Sequence, residues 1–133
     1  MKLYETSCIK DIRNRYGFRF SKSLGQNFLT DKSIIDEIIE GADIGPEDTV
    51  VEIGPGIGAI TREAARRAKR VIAVEIDKNL IPILDETLAG LDNVKIINED
   101  ILKLDTKKLV SGENPENVKI MGNLPYYITT PII

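Results

Sequence analysis

A parallel α/β sheet covered on both faces is predicted by three observations along this chain. Short apolar, β-branched segments alternate with stretches of helical periodicity. Those segments are apolar at nearly every position rather than every second one, as strands buried on both faces require. The first of them runs straight into a glycine-rich turn, Gly54-Pro55-Gly56-Ile57-Gly58, that opens a helix. Right-handed crossovers then give the strand order 3-2-1-4, half of a doubly wound sheet of about four parallel strands with flanking helices.

Each element follows from its residues. A short helix is expected over residues 6–16, then a loop over 17–28. A second helix over 31–42 has Asp31 or Ser33 as its cap, with Ile34, Ile35, Ile38 and Ile39 at helical spacing. Gly41, Gly45 and Pro46 end it. Residues 49–53 read as the first strand, 59–68 as a helix, and 71–76 as the second strand. The next helix, 78–88, tolerates Pro82 in its first turns. Residues 94–98 form a third strand, 105–110 a short helix, and 118–121 a fourth strand. The chain closes on Pro131-Ile132-Ile133, which reads as the inside of a new helix and so as a truncation. Strand four is then expected to be an exposed edge.

Composition narrows the function classes. The 133 residues match a single domain. With one cysteine, Cys8, and no histidine, the chain excludes a Ser-His-Asp triad, and neither a disulfide nor a metal site is expected. No apolar run reaches membrane-span length and no secretory leader is legible, so a cytoplasmic, non-membrane protein is expected. The net charge of -3 hides an asymmetry. Residues 1–25, a basic arm, hold Lys2, Lys10, Arg13, Arg15, Arg19 and Lys22 against Glu5 and Asp11, which leaves -7 for the remainder. Such an arm suits either a polyanion contact or a solvated helix face.

The chemistry gathers at strand ends. Glycines at the first turn let the backbone bend sharply and approach a ligand that a Cβ would exclude. Glu75, ending strand two, is placed to accept hydrogen bonds from both ribose hydroxyls of an adenosine. Asp100, after strand three, suits the adenine amino group. The spacing Gly54, Gly56, Gly58 is G-x-G-x-G, not the G-x-G-x-x-G of a pyrophosphate turn. Glu52 would repel pyrophosphate but suits the positive amino group of a methionine moiety. A tight turn with no ligand is the plainer alternative.

Asn123-Leu124-Pro125-Tyr126 closes strand four at the same edge of the sheet. An exocyclic amine needs acceptors for its two hydrogens, so that its lone pair can aim at a methyl group. The Asn123 side-chain oxygen and the Leu124 carbonyl can serve. Pro125 fixes the turn, and Tyr126 can stack on an extruded base. A sulfonium methyl is already electrophilic, so positioning and electrostatics carry the reaction without a strong base. Standing alone, the motif reads more readily as a proline-ended strand with a half-buried tyrosine. Its place at strand four behind a cofactor-type glycine turn reverses that preference.

Assembled, these residues resemble the ribosomal RNA adenine dimethyltransferase family, KsgA type. The matching segments are Leu24-Gly25-Gln26-Asn27-Phe28-Leu29, Val50 to Gly58, Val74-Glu75-Ile76-Asp77, Glu99-Asp100-Ile101-Leu102 and Gly122 to Tyr127, in family order. The resemblance implies a Rossmann-like class I methyltransferase sheet, with residues 26–133 as the front part of its S-adenosylmethionine-binding domain. It implies dimethylation of two adjacent adenosines near the 3′ end of small-subunit (16S) ribosomal RNA during ribosome biogenesis. It also implies that Gln26, Asn27 and Leu29 close over the cofactor. Gly54, Gly56, Gly58, Glu75, Ile76, Asp100 and Ile101 would bind it, and Asn123 would lie between cofactor and base. Lys10, Arg13, Arg15, Arg19 and Lys22 gain a role on RNA phosphates. Family members continue further, with more strands and a helical domain, so little methyl transfer is expected from these 133 residues alone. Three alternatives stand beside this: the antibiotic-resistance branch acting on 23S RNA, a NAD-dependent oxidoreductase on the same sheet, and a non-catalytic assembly factor.

Overall fold

Val50 and Val51 have opposite side-chain directions, and both are fully buried, so the first strand needs cover on both faces. The computed structural model, which describes residues 32–123 and 127–131, provides that cover. The elements run α1 (Lys32–Ala42), β1 (Thr49–Ile53), α2 (Ala59–Ala65), β2 (Arg70–Val74), α3 (Ile81–Thr87), β3 (Val94–Ile97), α4 (Thr106–Leu109), β4 (Val118–Asn123) and β5 (Tyr127–Pro131). Single 3-10 turns lie at Lys78–Leu80, Ile101–Lys103 and Pro115–Asn117. The expected helix over 6–16 and loop over 17–28 lie outside the described residues.

The sheet order is β3-β2-β1-β4-β5. β1 pairs in parallel with β2 and with β4, and β2 pairs in parallel with β3. That is the expected 3-2-1-4. Alternate residues divide the core in two. On one face Val50, Val71 and Met121 pack with Ile35 and Ile39 of α1 and Ile60 and Ala64 of α2. A smaller cluster, Ile57, Leu80, Ile83, Leu84 and Leu88, seats α3 beside them. On the other face Val51, Ile72 and Val74 lie beneath Ile97, Ile101, Leu104, Leu109 and Val110. Each such fully buried Val, Ile, Leu or Met contributes about 1.5–3 kcal/mol.

Two expectations need correction. The segment read as the start of a helix is instead β5, antiparallel to β4, with Asn123 opposite Tyr127 and Lys119 opposite Pro131. β4 is therefore an inner strand. Tyr, Ile and Thr favour extended backbone, and an unpaired β4 would present a row of open N–H and C=O groups. The boundaries also move. α2 ends at Ala65 and β2 at Val74, short of the expected 68 and 76. Pro82 falls in the first turn of α3, after the 3-10 turn, where its missing N–H costs nothing. No helix among the described residues is long and apolar enough to cross a membrane.

Candidate functional site

Register determines which residues meet at the carboxyl ends of the strands. Ile53 lies opposite Val74 and Gly122, and Val74 lies opposite Ile97. One step further, Gly54, Glu75, Asn98 and Asn123 therefore form a row across four adjoining strands. Neighbouring strands sit about 4.8 Å apart, so Glu75 and Asn123 flank Gly54 with roughly 10 Å between them. This is the crevice where open parallel sheets hold ligands.

The glycine turn is locked from several directions. The Gly54 N–H donates to the Val74 carbonyl at 2.9 Å. Gly54, Gly56 and Gly58 have φ of 70, 62 and 92, the left-handed region that side chains disfavour. Space decides their separate roles. A Cβ on Gly54 would meet no described residue within 4 Å, so among the described residues this position borders open room. At Gly58 a Cβ would stand 3.0 Å from Leu88 Cδ2 and 3.2 Å from Thr87 Oγ1, so here the turn is packed hard against the end of α3. The buried Thr87 hydroxyl donates to the Ile57 carbonyl at 2.7 Å, and the Thr87 carbonyl accepts from Arg62 Nη1 at 2.6 Å. Thr87 thus fastens the turn from behind.

Glu52 has a different position from Glu75. It shares the sheet face of Val50, toward α2, and is only 1% exposed. Thr61 Oγ1 of α2 donates to its Oε1 at 2.5 Å. Glu52 thus ties β1 to α2.

Glu75 just beyond β2 is 3% exposed. Its Oε2 accepts the Asp77 N–H at 3.0 Å and its Oε1 the Gly56 N–H at 3.4 Å. Burial pushes its pKa above the usual carboxylate range, against the lowering effect of those two amides. The side-chain amide of Asn98 donates to the Glu75 carbonyl at 2.8 Å, holding the ends of β2 and β3 together. Asp100 is half-buried and caps the following 3-10 turn, its Oδ1 accepting from the Leu102 N–H at 3.0 Å. Ile76 and Leu102 are 54% and 91% exposed, apolar surface beside two carboxylates. Planar, partly polar ligands suit such walls.

The structure therefore brings together Gly54, Glu75 and the Asn123 backbone in one row, with Gly56 bonded to Glu75 and Asp100 two residues beyond Asn98. Gln26, Asn27, Leu29, Leu124, Pro125 and Tyr126 lie outside the described residues, as do Lys10, Arg13, Arg15, Arg19 and Lys22. Thr61, Thr87, Arg62 and Asn98 were not singled out from the sequence. Only the period-2 alternation that puts Glu52 on the Val50 face could have hinted at the first.

Comparison with known proteins decides the family. The model of ribosomal RNA adenine dimethylase matches residues 17–133. The chain belongs to the ribosomal RNA adenine dimethylase family. Similar relatives include ribosomal RNA small subunit methyltransferase A of Alkaliphilus oremlandii, 58% identical over 93% of this chain and 44% of the relative. The protein of the same name in Clostridioides difficile is 53% identical over 99% of this chain and 46% of the relative. The chain thus spans less than half the length of these dimethylase relatives. Among solved structures, 23S rRNA methyltransferase ErmE is 32% identical with a TM-score of 0.58, over 72% of this chain and 48% of that one. A Salinibacter ruber RNA methyltransferase in complex with S-adenosyl-L-homocysteine has the same fold, with a TM-score of 0.54 at 23% identity over 70% of this chain and 75% of that one.

Proposed function

We propose that this dimethylase chain is the cofactor-binding part of an S-adenosylmethionine-dependent enzyme that dimethylates adenine N6 in small-subunit ribosomal RNA. The observation carrying the reading is the single row of Gly54, Glu75 and Asn123 across adjoining parallel strands. The cradle suits the cofactor chemically. Open space over Gly54 admits a close-lying ligand, and Glu75 offers a buried carboxylate to paired hydroxyls. Asp100 is bonded to the exposed Leu102, and the exposed Ile76 follows Glu75 on the neighbouring strand end, a composition that suits an adenine ring.

When bound, S-adenosylmethionine supplies an electrophilic sulfonium methyl. The chain's part is to orient the target amine. The Asn123 side-chain oxygen and the Leu124 carbonyl would accept its two hydrogens, and Tyr126 would stack on the base. No residue need take the proton before the methyl moves, which suits a chain without histidine. Gln26, Asn27 and Leu29 are assigned to closing over the cofactor, and the arm cations to RNA phosphates. A small-subunit target is favoured over 23S RNA because the relatives above 50% identity carry the small-subunit name, whereas ErmE stands at 32%.

Calorimetry with S-adenosylmethionine and with NAD tests the cofactor. The reading expects heat from the first only; binding of NAD alone would replace it with the oxidoreductase alternative.

A further inference from the structure

The opposite end of the sheet carries a second feature. A recess of about 350 Å³ opens between the starts of β2 and β3 and the segment leading through α4. Its floor is apolar, made by the buried Ile72 with Leu104 and Leu109. Arg70, Lys95 and Lys108 form its rim, with Ser111 beside them. Arg70 is the first residue of β2, five positions before Glu75, so the recess lies roughly 17 Å from the cofactor row.

Three cations crowd this spot on a body whose residues beyond the first 25 sum to -7. None of the three forms an ion pair with another described residue. Glu113, whose charge reaches Arg70, is bonded to Lys69 at 3.2 Å. Asp105 is the carboxylate in the lining, and its Oδ1 accepts the Lys107 N–H at 3.1 Å. An apolar floor under a cationic rim matches a molecule with a flat apolar body and attached phosphates. The volume lies at the small end of ligand pockets, roughly 300–1,000 Å³, which suits one nucleotide and not a duplex.

We infer that this recess is a second RNA contact, holding one unpaired nucleotide of the substrate strand with its phosphates on Arg70, Lys95 and Lys108. The inference rests on the RNA-modifying reading above, but not on the cofactor. Phosphates on the rim would keep the strand on the protein while a distant base enters the methylation cleft.

The test is a salt titration of the whole chain with a labelled single-stranded oligoribonucleotide, followed by fluorescence anisotropy. Each neutralised phosphate contributes roughly 0.7 to the slope of log K against log salt, and one nucleotide in a strand brings its two flanking phosphates, so the triple variant Arg70→Gln, Lys95→Gln, Lys108→Gln should lower that slope by about 1.4. The triple variant Arg70→Lys, Lys95→Arg, Lys108→Arg should keep it. An unchanged slope in the glutamine variant overturns the inference and assigns the binding to the arm. Equal competition by a free nucleoside monophosphate at matched phosphate concentration also overturns it, in favour of a small-nucleotide site. Loss of both RNA and S-adenosylmethionine binding in the glutamine variant counts against it, since the cations would then serve the fold. If S-adenosylmethionine binds neither protein yet the slope still falls, the cofactor assignment fails and the recess stands.

Discussion

Glu75 carries a burial cost that two backbone amides offset in part. Its native pKa is raised, so the folded state holds its proton more tightly than the unfolded state does. Stability contributed by this group is therefore greatest below the unfolded value of 4.5 and is lost as pH rises through the native value. A Glu75→Gln variant should lose this pH dependence, which denaturant melts across the acid range will measure. Ribose recognition needs the ionised form, so cofactor affinity should fall as pH drops through the same native value. Glu75→Gln should weaken binding at neutral pH by ten-fold or more, on the order of 1.5–3 kcal/mol for a charge-assisted hydrogen bond. Thr87 is a purer structural case. Thr87→Val keeps the shape but orphans the buried Ile57 carbonyl, at a cost of about 1–3 kcal/mol, whereas Thr87→Ser should restore most of it. Equal melting temperatures for all three would remove Thr87 from the account.

Among the elements, the turn between β1 and α2 joins stability to binding. Gly58→Ala must adopt φ near 92 and push its Cβ to 3.0 Å from Leu88 Cδ2, so a loss of about 1–3 kcal/mol is expected in denaturant melts. At Gly54 the φ is also positive but no described residue stands within 4 Å, so Gly54→Ala should combine a smaller loss of stability with a marked loss of cofactor affinity. Equal effects of the two substitutions on affinity would contradict the division between packed and open glycines. The other end of α1 shows the same economy of contacts. Lys119 Nζ donates to the Ala42 and Asp43 carbonyls and pairs with Asp48 at 3.1 Å, so one β4 side chain finishes a helix.

At the scale of the molecule, strand order and the alignment of the strand ends were legible because both follow from local signals. Apolar strands alternating with helices imply right-handed parallel crossovers, and a glycine turn after β1 marks the switch point. What stayed hidden depends on partners far apart in sequence. Glu52 stands two residues before Gly54, but the sequence does not show that its face of the strand brings it to Thr61, nine residues on. Thr87 and Arg62 meet the turn only once α3 has packed against it. β5 was missed because its Tyr, Ile and Thr residues were read with the apolar end that follows, not with the open edge of β4. The central claim is that one crevice, at the carboxyl ends of β1 to β4, holds the cofactor. It is tested most directly by amide chemical-shift mapping with S-adenosyl-L-homocysteine. The account predicts that the amides of Gly54, Gly56, Glu75, Asp77, Asp100 and Asn123 shift, while Arg70 and Lys95 stay fixed. Shifts gathered around Arg70 and Lys95, with the glycine turn silent, would contradict it.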